Sequence, residues 1–287
     1  MFKRSFRTAA MVLVLGMALV TEAAGAPAPA PAASSMFPEY EVKLLMNPRT
    51  TLGTDYKLTS TVLNAFSMPK TVTKMNVAFL DTNAKDISGN GWSIRIRKIE
   101  DKDDFELTYK KRYAIDNDDI NAALAQPNND GFGSGDTSYE TEVEWGGLQK
   151  TLSITHTATV SKSGYSGMDL PIIGDARNLM IGNSPDKFNN WLSSGWGKNK
   201  LLASRYYGPV LAKRSMGTWR GIKLYIEVWP IKNAAGTGTE YVVEASFKTH
   251  SATSASSKHK ELAAYLKNKG WLLAQDSLKT QLIMERY

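Results

Sequence analysis

The chain has 287 residues, of which 42% are hydrophobic, 22% charged and 10% aromatic, a composition of folded globular proteins rather than disordered or fibrous ones. It has no cysteine and 3 histidines, His156, His250 and His259, which excludes disulfide scaffolds, thiol catalysis and cysteine-bound zinc or iron–sulfur centres and leaves oxygen as the donor for any metal. With 35 Lys+Arg against 28 Asp+Glu, the modest basic excess favours anionic ligands but lacks the concentrated stripe of a nucleic-acid binder, so no nucleic-acid partner is expected.

Lys3, Arg4 and Arg7 precede an apolar run over 9–20 and then small residues over 21–26. This pattern predicts a secretory signal peptide over 1–25 and a secreted, extracellular protein. The run is shorter than the roughly 20 residues of a membrane span, so no membrane association is expected after cleavage. Residues 26–35 alternate Ala and Pro and predict an extended, semi-rigid linker.

From Met36 onward the dominant period is two. Eight segments alternate and predict strands: 37–45, 76–80, 93–98, 105–111, 139–145, 210–215, 222–229 and 241–247. Helical patterns occupy 55–66, 186–194, 258–269 and 276–285. The Gly/Asn/Asp-rich stretch 117–136 predicts a long loop and 161–183 an irregular insertion. The predicted class is α+β, an antiparallel barrel or sandwich with helices outside.

Alternate residues of a strand share a face, and here those faces are charged. Glu39, Glu41 and Lys43 point one way, as do Arg95 with Arg97, Thr108 with Lys110, and Glu140, Glu142 and Glu144. Lys213 and Arg214 lie together in the sixth segment, Glu227 shares a face with Lys223, and Glu244 shares one with Glu240 and Lys248. A lone pair of this kind is usually a solvated outer face. Recurrence on six strands changes the balance: closed with the charged faces inward, these strands line a polar tunnel in which carboxylates hold divalent cations and basic groups hold phosphate. The three histidines are read as surface groups, Trp191, Trp196, Trp219 and Trp229 as packing groups, and the lysines over 258–269 as the wet side of an amphipathic helix.

The blocks also resemble a family. Glu39-Tyr-Glu-Val-Lys43 is similar to the Glu-x-Glu-x-Lys signature that opens CYTH domains, the triphosphate tunnel metalloenzymes. Phe79-Leu-Asp-Thr82, Gly91-Trp-Ser-Ile-Arg-Ile-Arg97, Glu106-Leu-Thr-Tyr-Lys110 and Glu140-Thr-Glu-Val-Glu144 follow in that family's order. The resemblance runs from residue 37 to the end and is strongest over 37–145, with 114–136 and 151–185 resembling insertions. It implies one CYTH-like domain over 36–287, an eight-stranded antiparallel barrel whose tunnel binds a triphosphate end with Mg²⁺ or Mn²⁺. Its metal ligands would come from Glu39, Glu41, Glu140, Glu142, Glu144, Glu227 and Glu244. Its phosphate-binding groups would be Lys43, Arg95, Arg97, Lys110 and one of Lys213 and Arg214, with Glu39, Glu41 and Lys43 at the catalytic centre. The implied activity is divalent-metal-dependent hydrolysis of tripolyphosphate or of a nucleoside or other organic triphosphate. The alternatives are an adenylyl cyclase of the same family, and a barrel that binds phosphate or polyphosphate without turnover.

Overall fold

Among the described residues, period-two patterning becomes nine strands rather than eight. The computed structural model describes residues 38–133, 135–276 and 279–287; the predicted signal segment 1–25 and linker 26–35 lie outside the described residues. The strands are β1 (Glu39–Met46), β2 (Thr73–Asp81), β3 (Trp92–Ile99), β4 (Phe105–Ala114), β5 (Glu140–Trp145), β6 (Lys150–Val160), β7 (Arg205–Trp219), β8 (Ile222–Lys232) and β9 (Thr239–Thr249). They close into a barrel in the order β1-β5-β6-β4-β3-β2-β7-β8-β9.

Two expectations are corrected. The strand β6 falls in a stretch taken for an insertion: it alternates Leu152 and Ile154 with Thr151, Ser153 and Thr155, and its inward face carries hydroxyls instead of charges. An odd number of strands in a closed ring cannot alternate direction throughout, so the barrel is mixed. The parallel ladder joins β1 to β5, with Glu39 opposite Glu142 and Glu41 opposite Glu144.

The helices are α1 (Pro48–Thr51), α2 (Ser60–Ala65), α3 (Asp86–Gly89), α4 (Ile120–Asn129), α5 (Ile173–Gly182), α6 (Asp186–Asn189), α7 (Trp196–Leu202), α8 (Ala252–Asn268) and α9 (Lys279–Arg286). Thus 55–66 shrinks to α2, which begins where the Thr59 side chain accepts from the amide of Val62. The expected loop 117–136 instead contains α4, started by Asp119, whose carboxylate accepts from the amide of Ala122 at 2.9 Å. The expected irregular stretch 161–183 contains α5. The pattern at 258–269 extends backwards to Ser251, whose hydroxyl caps α8.

Parity then divides the apolar residues into two cores. Outward-facing Val42, Leu44, Ile94, Ile96, Leu107, Leu152 and Ile154 form the large core beneath the helices, with Leu262 and Leu266 of α8 packed into it. Inward-facing Leu45, Met75, Val77, Phe79, Val210, Trp229 and Val242 form a second core inside the barrel, which Ile283 and Met284 of α9 complete. One end of the bore is therefore stoppered by a helix on its apolar side, and the rest of the interior is polar.

Candidate active site in the tunnel

The inward faces of β1, β3, β4, β5, β7, β8 and β9 meet around a cavity of about 470 Å³. Glu41 and Lys43, Arg95 and Arg97, Lys110, Glu140 and Glu142, Arg214, Glu227 and Glu244 all line it, together with Thr155 and Thr157 of β6. A second cavity of about 540 Å³ shares Lys43, Phe79, Ser93, Arg112, Lys279 and Thr280 with the first and has Glu144 in its wall. The polar bore therefore continues past Lys43 toward the opposite end of the barrel. Glu39 stands at the rim, 2.8 Å from the Lys248 ammonium and 3.9 Å from His250. Glu140 is exposed at the same mouth.

Lys213 is the exception among the candidate residues. In the register of β7 against β2 it pairs with Lys74, while Arg214 pairs with Thr73, so neighbouring side chains leave on opposite faces. Lys213 lines an outer cleft with Leu63, Lys70 and Val228. Of the two basic groups left open by the sequence, Arg214 is the one inside.

Three charge clusters organise the bore. On the acidic wall, Lys43 lies 2.7 Å from Glu41 and 3.5 Å from Glu144, Lys110 lies 2.5 Å from Glu144 and 3.4 Å from Glu142, and Lys248 lies 2.7 Å from Glu142. On the basic wall, Glu106 accepts from Arg97 through both oxygens, at 2.5 and 2.6 Å, and from Arg95 at 3.2 Å, while Arg95 also donates to the Thr108 hydroxyl at 3.0 Å. The third cluster joins Arg214, Glu227, Glu244 and Lys279: Arg214 is 2.6 Å from Glu227, and the Lys279 ammonium is 2.9 Å from Glu227 and 2.7 Å from Glu244.

These surroundings push the acids apart. Burial raises the pKa of Glu144, but Lys110 and Lys43 outweigh it and hold this carboxyl well below the ordinary value. Glu41 is likewise held down by Lys43 and Lys110 against its burial. Glu142 moves up, because burial and the facing Glu41 carboxylate dominate over its lysines. Burial and the adjacent Arg97 bring the Arg95 guanidinium down to about 10, still charged at neutral pH. Lys43 is raised, since Glu144 and Glu41 overcome its desolvation.

The acidic wall suits a hard divalent cation in donor chemistry. It offers carboxylate oxygens on strands held in register, and Glu142 Oε1 is buried and accepts no hydrogen bond beyond its ion pair to Lys248. Among the described residues no three acids converge into a ready-made cation cluster; lysines stand between them.

Arg112 and Lys279 are tunnel residues absent from the reading of the sequence, where Glu106 stands only as the first residue of a motif block and Lys248 only on a charged face, neither with a role. Glu106 and Arg112 share the face of Thr108 and Lys110, so the period-two rule reaches both. Lys279 enters from α9, and no strand pattern points to it.

No family model matches the sequence and no curated protein matches it. Solved structures do match the fold. HpAC1 from Hippeastrum, described as an adenylyl cyclase candidate with a dominant triphosphatase activity, is 14% identical and superposes with a TM-score of 0.51 over 86% of this chain and 96% of that one. PH1819 from Pyrococcus horikoshii OT3 is 12% identical, with a TM-score of 0.43 over 86% and 99% of the two chains. An adenylate cyclase candidate from Vibrio parahaemolyticus is 10% identical, with a TM-score of 0.40 over 85% and 94%. At this level of identity the likeness is one of fold: over most of its length the chain shares the fold of HpAC1.

Proposed function

We propose that the protein is a divalent-cation-dependent hydrolase of tripolyphosphate or of an organic triphosphate. The observation that carries this reading is the opposition, within one cavity, of an acidic wall from β1 and β5 and a basic wall from β3 and β7. Arg95, Arg97 and Arg214 present planar guanidinium groups suited to bidentate contact with phosphate oxygens. Lys43 and Lys110 lie between the walls and can turn from carboxylate to phosphate as a substrate enters. Glu39, Glu41 and Glu142 would hold Mg²⁺ or Mn²⁺, which supplies neutralisation of phosphoryl charge when bound. Phosphoryl transfer asks mainly for positioning and charge compensation; the carboxylates of Glu39 and Glu41 would orient water in line with the terminal phosphorus and its bridging oxygen, and as that P–O bond breaks the basic wall would steady the departing diphosphate end, leaving phosphate as the other product. The triphosphatase activity named for HpAC1 supports the reaction class, and the pattern over 1–25 supports export.

The test is phosphate and pyrophosphate release from tripolyphosphate, ATP and thiamine triphosphate, with Mg²⁺, Mn²⁺ or chelator. Cation-dependent phosphate release that disappears in Glu41→Gln upholds the reading, whereas full activity of Glu41→Gln at limiting Mg²⁺ overturns the cation assignment. Pyrophosphate release from ATP points to a cyclase. Tripolyphosphate that raises the melting temperature without being cleaved identifies a binding barrel, a reading favoured by the lysines that already neutralise the acidic wall.

A further inference from the structure

We propose that Lys279 is a built-in counter-cation that removes Glu227 and Glu244 from the divalent-cation set, so that this quarter of the tunnel takes no divalent ion while α9 is seated. The inference bears on the cation part of the function proposed above and goes beyond it.

Glu227 and Glu244 are register partners on β8 and β9 and are 6% and 2% exposed. Two buried carboxylates side by side repel unless a cation stands between them. The ammonium of Lys279 fills that place, 2.9 Å from Glu227 Oε2 and 2.7 Å from Glu244 Oε1. The rest of Glu227 is also taken. Its Oε1 accepts from Nε and an Nη of Arg214 at 2.8 and 2.6 Å, and its Oε2 accepts from Trp229 Nε1 at 2.9 Å. The Trp229 ring closes the remaining side, its centroid 4.8 Å from Lys279 Nζ. Mg²⁺ and Mn²⁺ prefer a shell of oxygens that includes water, and here protein N–H groups occupy that shell.

The acidic wall differs in how its cations are held. Lys248 has a side chain 45% exposed at the mouth and can withdraw into water. Lys279 begins a helix whose Ile283 and Met284 are buried in the inner core, so it leaves the carboxylates only if α9 lifts.

The experiment counts Mn²⁺ bound to the full chain without substrate, from the electron paramagnetic resonance signal of the free ion, in the wild type and in Lys279→Met, Lys279→Arg and Glu244→Gln. Lys279→Met should bind one Mn²⁺ more than the wild type, and that ion should raise its melting temperature. Lys279→Arg and Glu244→Gln should keep the wild-type count. Equal counts for a folded Lys279→Met and the wild type overturn the proposal. So does loss of an ion in Glu244→Gln, which decides the matter even where Lys279→Met does not fold. A wild type that binds no Mn²⁺ beside a Lys279→Met that binds one would sink the cation-dependent hydrolase and uphold the role of Lys279.

Discussion

Glu41 and Glu144 stand opposite each other across the parallel ladder, and the ammonium of Lys43 is shared between them at 2.7 and 3.5 Å. The cation comes from the same strand as Glu41, two residues on, so the site carries part of its own neutralisation. Removing one member of a buried charge group strands the others, at a cost of about 3 kcal/mol. Lys43→Met should lose stability of that order in urea unfolding, and Lys43→Met with Glu144→Gln should regain part of it. An unchanged urea midpoint in the single variant would contradict this account of the cluster.

Glu142 and Glu144 lie two residues apart on one face yet respond in opposite senses to their surroundings. The charge on Glu144 is favoured by Lys110 and Lys43, while that on Glu142 is opposed by burial and by Glu41. At neutral pH, Glu144→Gln should lower the melting temperature, whereas Glu142→Gln should leave it unchanged or raise it while weakening divalent-cation binding. Melting curves of the two variants, side by side, check the contrast; equal losses would refute it.

Inside and outside are separated by one peptide unit at Lys213 and Arg214. Arg214→Ala and Arg97→Ala should each raise KM for the triphosphate about ten-fold or more, as loss of a charge-assisted contact does. Lys213→Ala, which alters only the outer cleft, should leave both kcat and KM within about two-fold. Steady-state kinetics on the three variants reads this directly, and a KM defect in Lys213→Ala would argue against the register of β7.

The acid and alkaline limits of stability follow from the signs of the shifts. Glu41 and Glu144 have folded pKa values below the ordinary 4.5, so their contribution is complete above 4.5 and is lost as pH falls through the depressed values. Lys43 has a folded pKa above the ordinary 10.5, so its contribution is complete below 10.5 and is lost as pH rises through the raised value. Glu142, raised, works the other way and returns a little stability as it protonates. The urea midpoint should therefore fall on the acid side below about pH 4.5, and Glu144→Gln should show a shallower acid limb than the wild type. Identical limbs would mean that Glu144 is not held down as its lysines imply.

The charged faces are legible in the sequence because a strand has the simplest of periods: every second residue of Glu39-x-Glu41-x-Lys43 or Arg95-x-Arg97 must share a side, and closure of the ring turns that side inward. The same rule reaches Glu106 and Arg112. It fails at Lys213-Arg214, where adjacent residues alternate and only the bulged register with β2 settles which is inside. It also leaves β6 easy to miss, since Thr151, Ser153 and Thr155 are small, uncharged groups. Lys279 is out of reach for a different reason. Its place depends on where α9 docks, a tertiary event with no local pattern.

The place of β1 in the ring bears on how the protein folds. Lys110 and Glu144 are 34 residues apart in the chain, but Glu39 and Lys248 are 209 apart. The β3-β4-β6-β5 part of the sheet can assemble from near neighbours, whereas β1 finds its place only by joining β5 on one side and the distant β9 on the other. Contacts at such separation are slow to form, because a long loop must be closed before they give anything back. The acidic faces of β1 and β5 form one wall only when β1 is seated between β5 and β9, so the tunnel and its unusual charge states depend on the closed ring.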